Sequence, residues 1–197
     1  RAWQSEPGLN LYMSVLLRPE LGPAEAPRLS LLAGVAVAEA LETEGLEVAI
    51  KWPNDVLVGR RKIAGILTEM EAEADRVRAV VVGIGVNVNL DASGHPDIAS
   101  TATSVGAQTG GHVDGTRVLR AVLEHLDDMY GDVKRGRSLT DEWSEHLDTL
   151  GRSVEVRWGH RVFEGMAREV DRQGNLVIDR PDGTTVTVVG GEVTLQA

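Results

Sequence analysis

Lys51-Trp52-Pro53-Asn54-Asp55, followed after a short spacer by Lys62-Ile63-Ala64-Gly65-Ile66-Leu67, gathers most of the chemistry this chain can offer. Pro53 fixes its own φ, lacks an N–H and keeps Trp52 out of the helical region, so the chain turns there. Asn54 and Asp55 are turn formers that can expose an amide beside a carboxylate. Lys51 and Lys62 then flank a rigid polar corner from neighbouring strands. Two cations, one carboxylate and one amide suit an anion held with a divalent metal, such as a nucleotide phosphate with magnesium. A third block, Gly83-Ile84-Gly85-Val86-Asn87, places an amide at the end of an apolar run. Its glycines do not form a dinucleotide fingerprint, because no third Gly and no helix start follow.

The elements that must carry these residues are legible in outline. Leu11 to Leu17 is an apolar run that reads as a buried strand, and Pro19, Gly22, Pro23 and Pro27 punctuate the loop after it. Ala- and Leu-rich sequence from Arg28 to Thr43 predicts a helix packed on a sheet and ended near Gly45. Glu47 to Lys51 is a short strand entering the corner. Val56 to Val58, the turn Gly59-Arg60-Arg61 and Lys62 to Glu71 predict a hairpin, and Arg76 to Asn89 a further strand centred on Val80-Val81-Val82. Successive strands joined by short turns imply a mixed, mostly antiparallel sheet rather than repeated βαβ units, hence an α+β, two-layer fold. Residues 90 to 113 lack periodicity and form the longest candidate loop; loops of that length are either functional or mere surface excursions.

Thr116 to Val133 predicts an amphipathic helix, with Val118, Leu119, Val122, Leu123, Leu126, Met129, Tyr130 and Val133 on one stripe. A second helix follows Ser138, where Ser-x-x-Asp with Asp141 resembles a capping box. The texture changes at Gly151. Alternating Val154, Val156 and Trp158 open a series of short strands, with turns at Gly159-His160, Gln173-Gly174-Asn175 and Pro181-Asp182-Gly183. That pattern predicts a small SH3-like barrel, so the chain divides into residues 1–150 and 151–197.

Composition removes several function classes. The 197 residues contain no Cys, which excludes disulfides, thiolate catalysis and thiolate metal sites. A formal charge of −10 argues against a nucleic-acid backbone binder, since no basic face is evident to release counterions. No run is long enough to span a bilayer and no signal-peptide pattern is present, which fits a cytoplasmic enzyme with no membrane partner. The five histidines, His95, His112, His125, His146 and His160, lack metal-ligand spacing.

The three blocks KWPND, KIAGIL and GIGVN, in that order, resemble the central signature of biotin protein ligases. The resemblance covers nearly the whole chain and implies a class II synthetase-like catalytic domain followed by an SH3-like domain. It implies an enzyme that activates biotin with ATP and magnesium as biotinyl-5'-AMP, then transfers it to a lysine of a biotin carboxyl carrier domain. It makes Lys62 the key catalytic cation, where a lone lysine beside Arg60 and Arg61 would read instead as a solvated hairpin residue. Lys51 becomes a second catalytic, nucleotide-lining cation, against the alternative of pairing with Asp55 to brace the corner. Asn54 and Asp55 become contacts to ATP and magnesium, against plain turn chemistry. Gly65, Ile66 and Leu67 become a biotin-binding strand, where a Gly lets a ligand approach the backbone. Asn87 becomes an adenylate contact, against a local turn contact.

Arg1 and Trp3 match the tail of the family's arginine-rich loop, which closes over biotin and adenylate, and Ala102-Thr103-Ser104-Val105 resembles its adenylate-covering loop. The remainder of the arginine loop and a Ser-Thr-Asn segment are expected upstream of Arg1, so the catalytic domain reads as N-terminally incomplete. Gln196-Ala197 stands where some relatives carry a basic residue that reaches the nucleotide. A homodimer is compatible with the resemblance. Two alternatives stay open: a lipoate or octanoate transferase of related fold, and a biotin-responsive repressor if a helix-turn-helix precedes Arg1.

Overall fold

The computed structural model describes residues 6–73, 75–138 and 140–196. Arg1 and Trp3, with the loop tail expected there, lie outside the described residues. In chain order the elements are β1 (Leu11–Leu17), α1 (Arg28–Glu42), β2 (Val48–Lys51), β3 (Asp55–Val58), β4 (Arg61–Glu73), β5 (Arg76–Val86), α2 (Val105–Thr109), α3 (Gly115–Lys134), α4 (Thr140–His146), β6 (Ser153–Trp158), β7 (Arg161–Val170), β8 (Leu176–Asp179), β9 (Thr185–Val188) and β10 (Glu192–Leu195). They form two five-stranded sheets, ordered β1-β5-β4-β3-β2 and β10-β6-β7-β8-β9. Every named strand pair is antiparallel, so the expected mixed character is absent from both sheets. The parallel contacts are isolated bridges, Ile50 with Leu147 and Lys62 with Ala102. Short turns allow only antiparallel neighbours, whereas a parallel neighbour needs a crossover. In the second sheet β9 and β10 are the edge strands, and no pairing between them closes a barrel among the described residues.

Helix α1 explains where the core sits. Leu29, Leu32, Val35, Ala36, Val37, Ala38 and Leu41 are fully buried, so it is apolar nearly all round. Such a helix must be covered on more than one side. It lies on the first sheet, and α3 and α4 pack on it in turn. Helix α3 is capped by Asp114, whose carboxylate accepts from Thr116 N–H at 2.9 Å. It buries only the stripe Val118, Val122, Leu126 and Met129. The Glu39 carboxylate lies 3.0 Å from His125 Nδ1 on α3, and Glu42 lies 3.4 Å from His146 Nε2 on α4. These pairs tether α1 to its neighbours.

The region read as the longest candidate loop, 90 to 113, contains a 3-10 turn at Ala92–Gly94 and the helix α2. Its ends are tied by one side chain: Asn89 Nδ2 donates to Val113 O at 2.8 Å and its Oδ1 accepts from Val113 N–H at 2.9 Å. Strand β5 accordingly stops at Val86 rather than Asn89, because Asn87 and Asn89 are spent on this segment. Gly106 is needed there, since a Cβ would stand 2.7 Å from Gly111 O and 2.8 Å from Asn89 Oδ1.

The second sheet is locked to the first through Trp52, which is 1% exposed. Its indole Nε1 donates to Gly174 O at 3.0 Å in the β7–β8 turn, and its backbone N–H donates to Thr149 Oγ1 at 2.9 Å. Gly174 holds φ +85°, and a Cβ there would meet Leu31 Cδ1 of α1 at 2.3 Å. Close approach and a left-handed backbone together require glycine.

Candidate active site

Register decides which side chains share a face. Lys51 pairs with Asp55, and Asp55 with Gly65, which pairs in turn with Gly85 and, across β5, with Tyr12. Between Val56–Ala64 and Leu57–Lys62 the ladder slips by one residue, leaving Ile63 as the extra residue of β4. Strand alternation would otherwise put Lys62 and Gly65 on opposite faces, since they are an odd number of positions apart. The bulge turns Lys62 onto the face of Asp55. Its Nζ donates to Asp55 Oδ1 at 2.5 Å, and Lys51 Nζ lies 3.7 Å from Oδ2 of the same carboxylate. One aspartate thus holds both lysines, each with about a quarter to a third of its side chain exposed.

These residues form one wall of a cavity of about 690 Å³. Lys51, Asp55, Leu57 and Lys62 come from the sheet, and Arg60 from the β3–β4 turn. Asn87, Leu90, Ile98, Thr101 and Ala102 close a second side. Asp148, Arg152 and Glu192 to Gln196 supply the third, from the junction and from β10. Asp148 is carried there because its N–H donates to Ile50 O at 3.0 Å, which lays its segment along the edge of β2. Arg152 Nη2 in turn donates to Asp148 Oδ1 at 2.5 Å. Four cations therefore face three carboxylates, a local positive balance in a chain of formal charge −10.

The expected residues are placed unevenly. Asn87 lines the cavity, yet it is 4% exposed and its Nδ2 donates to Thr103 O at 3.0 Å. Its backbone is also engaged, N–H to Ile63 O at 2.8 Å and O from Val105 N–H at 3.0 Å. Asn54 Nδ2 donates to Ile66 O at 2.7 Å, and Asn54 O accepts from Ile66 N–H at 3.0 Å. Of the expected biotin strand, Ile66 therefore has both backbone groups in use, and its side chain is 3% exposed on the opposite, core face. Gly65 and Leu67 lie on the open face. There Gly65, Gly83 and Gly85 leave a furrow without side chains beside the Asp55 pair, between Tyr12, 48% exposed, and Leu67, 64% exposed.

The segment 101–105 is built into the wall. Lys62 N–H donates to Thr101 O at 2.8 Å and Thr103 N–H donates to Lys62 O at 2.9 Å. Ala102, Thr103, Ser104 and Val105 are all buried. Arg60, Asp148, Arg152 and the β10 residues are cavity residues that sequence reasoning did not find. Only Arg60 had a local signal, the Gly59 turn one residue before it.

Known proteins resemble this chain in sequence and in fold. Residues 1–87 match the Biotin/lipoate A/B protein ligase family, and residues 149–195 match the Biotin protein ligase C terminal domain. The chain is 36% identical over 187 residues to the bifunctional ligase/repressor BirA of Bacillus subtilis (strain 168), covering 93% of this chain and 58% of that protein. It is 33% identical over 205 residues to the biotin--[acetyl-CoA-carboxylase] ligase of Paracoccus denitrificans, covering 94% and 80% respectively. The solved structure of the biotin protein ligase from Aquifex aeolicus in complex with biotin and ATP superposes with a TM-score of 0.84 at 28% identity, covering 100% of this chain and 82% of that one. The chain spans 58% to 62% of the length of the ligase/repressor relatives from Bacillus and Escherichia coli.

Proposed function

We propose that this chain, which belongs to the biotin protein ligase family, carries the catalytic machinery of an ATP-dependent biotin–protein ligase. The observation that carries the reading is the Lys51–Asp55–Lys62 cluster at the meeting of the 690 Å³ cavity and the glycine furrow. In the first step a biotin carboxylate oxygen bonds the α-phosphorus of ATP. The bond from that phosphorus to the bridging oxygen breaks, and the electron pair leaves on pyrophosphate. Two anions must meet, so fixed cations between them lower the barrier by electrostatic preorganisation. Lys62 serves as that cation in this reading, supported by its bond to Asp55 and its backbone bonds to Thr101 and Thr103. Lys51 shares the same carboxylate and serves the nucleotide side. In the second step an uncharged lysine amine of a biotin carboxyl carrier domain attacks the acyl carbon, and AMP departs.

The biotin rings would lie over Gly65, Gly83 and Gly85, where no side chain intervenes, with Tyr12 and Leu67 as apolar walls. By the family resemblance Arg1 and Trp3 would bind biotin and the adenylate. Asn87, whose amide nitrogen fastens the cavity wall, would contact the adenylate. Magnesium commonly keeps substrate phosphates and one or two carboxylates as ligands. Among the described residues no cluster of three His, Cys, Asp or Glu could hold a metal alone, which fits an ion that arrives on the triphosphate. Asp55 would hold it, with the amide oxygen of Asn54 alongside, and it would neutralise phosphate charge. No helix among the described residues is long and apolar enough to cross a membrane, and a cytoplasmic setting is part of the proposal.

The family description covers lipoate as well as biotin, so the acid must be tested directly. Biotin with MgATP should raise the melting temperature of the full-length protein more than either alone, because a ligand bound only to the native state stabilises by mass action. The protein should also exchange labelled pyrophosphate into ATP only when biotin is present. Stabilisation by lipoate with none by biotin would assign the other acid.

A further inference from the structure

The cavity cations differ in what they already hold. Lys51 and Lys62 share Asp55, and Arg152 holds Asp148. Arg60 lines the same cavity, is exposed at the tip of the β3–β4 turn, and has no carboxylate partner among the described residues. Gly59 before it takes φ +61°, a left-handed turn position that reverses the chain and lifts Arg60 between β3 and β4. Its neighbour Arg61 enters β4 opposite Val58 and does not line the cavity. At the opposite wall the described residues at the end of β10 are Leu195 and Gln196, and neither carries a charge.

We propose that Arg60 is the residue that receives the β- and γ-phosphates of ATP and holds the departing pyrophosphate. This rests on the ligase reading above. Adenylate formation leaves an anion of high charge on the side of the α-phosphorus away from the attacking carboxylate, and Lys62 cannot serve both sides. A planar guanidinium can give two parallel N–H bonds to one phosphate, which an ammonium cannot match. An unpaired arginine on a turn gives up no ion pair of its own to do so. Its contact acts on the polyphosphate and leaves the biotin furrow untouched.

The test uses the full-length protein with ATP and inorganic pyrophosphate as probes. Arg60→Ala should raise the KM for both ATP and pyrophosphate in biotin-dependent exchange by about tenfold, the loss expected for one exposed charge-assisted hydrogen bond. The KM for biotin should stay within about twofold. Arg60→Lys should recover part of the loss, and Arg61→Ala should behave as the unaltered protein. Equal losses in Arg60→Ala and Arg61→Ala would reduce the effect to general charge and overturn the assignment, as would an unchanged KM for pyrophosphate in Arg60→Ala. Calorimetric titration with pyrophosphate separates the two layers. Exchange that does not depend on biotin, with binding still weakened by Arg60→Ala, removes the ligase reading and keeps the polyphosphate contact. Binding that Arg60→Ala leaves unchanged removes the contact.

Discussion

Trp52→Phe tests the coupling between the second sheet and the active-site corner. The indole is 1% exposed and spans both parts, giving its Nε1–H to Gly174 O at 3.0 Å while its own backbone N–H goes to Thr149. Phenylalanine keeps the aromatic body and loses the donor. A buried carbonyl deprived of its donor costs about 1–3 kcal/mol. The smaller ring leaves a void, and Leu31 and Gly174 are too closely packed to refill it freely, which adds about 1 kcal/mol. The expected loss is therefore about 2–4 kcal/mol, large against a typical stability of about 5–15 kcal/mol. Urea unfolding measures it, with hydrogen exchange reporting the amides of 149–151 and 171–175, which should lose protection before the first sheet does. Because Trp52 is covalently next to Lys51, the variant should also raise the KM for ATP. A stability loss below about 0.5 kcal/mol, the size of an ordinary surface change, would refute the lock. So would normal protection of the β7–β8 turn.

Three further outcomes follow from the site and its surroundings. Lys62→Ala should slow biotin-dependent exchange by on the order of a hundredfold while costing at most about 1 kcal/mol of stability, because a partly exposed ion pair contributes little; Lys62→Arg should rescue only in part, and near-normal exchange in Lys62→Ala would shift the catalytic role to Lys51. In hydrogen exchange of the ligand-free protein, the amides of Thr103, Val105 and Gly106 should already be protected, since each donates to backbone oxygen at 2.8–3.0 Å; rapid exchange there would refute the segment's place in the cavity wall. Hydrogen bonds from Arg135 and then Arg137 hold the Asp132 carboxyl below the usual Asp value, so its contribution is present above about pH 4 and is lost as pH falls through the lower folded value; a carboxyl NMR titration of Arg137→Ala should move that midpoint upward.

Local signals in the chain were enough for most elements and for the polar corner that gathers the lysines, Asp55 and Asn54. Turn residues marked the hairpins, the 3.6-residue stripe marked α3, and the loss of helical periodicity after Gly151 marked the second group of strands. The motif lysines, Asp55 and Asn87 were legible because their residue types are costly to place without partners. Residues 90 to 113 carried no periodic signal, because Thr103 and Val105 bond Lys62 and Asn87, and Ser104 bonds Leu90, rather than one another. The partners of Ile66 were not legible either: its backbone groups are taken by Asn54.

What this sequence determined by itself was an inventory: which cations, carboxylate and amides lie near a rigid corner, and that short turns keep the strands mostly antiparallel. Tertiary structure decided the facing. One extra residue, Ile63, rotates Lys62 onto the side of Asp55, and a one-residue slip is invisible in composition or periodicity because it depends on which partner each backbone group finds. The same holds for Trp52 with Gly174 and for Arg60 and Arg152, which come from distant positions to one cavity. Contacts between residues far apart in the chain are set by packing and by the need to satisfy buried backbone groups, and no local pattern encodes them.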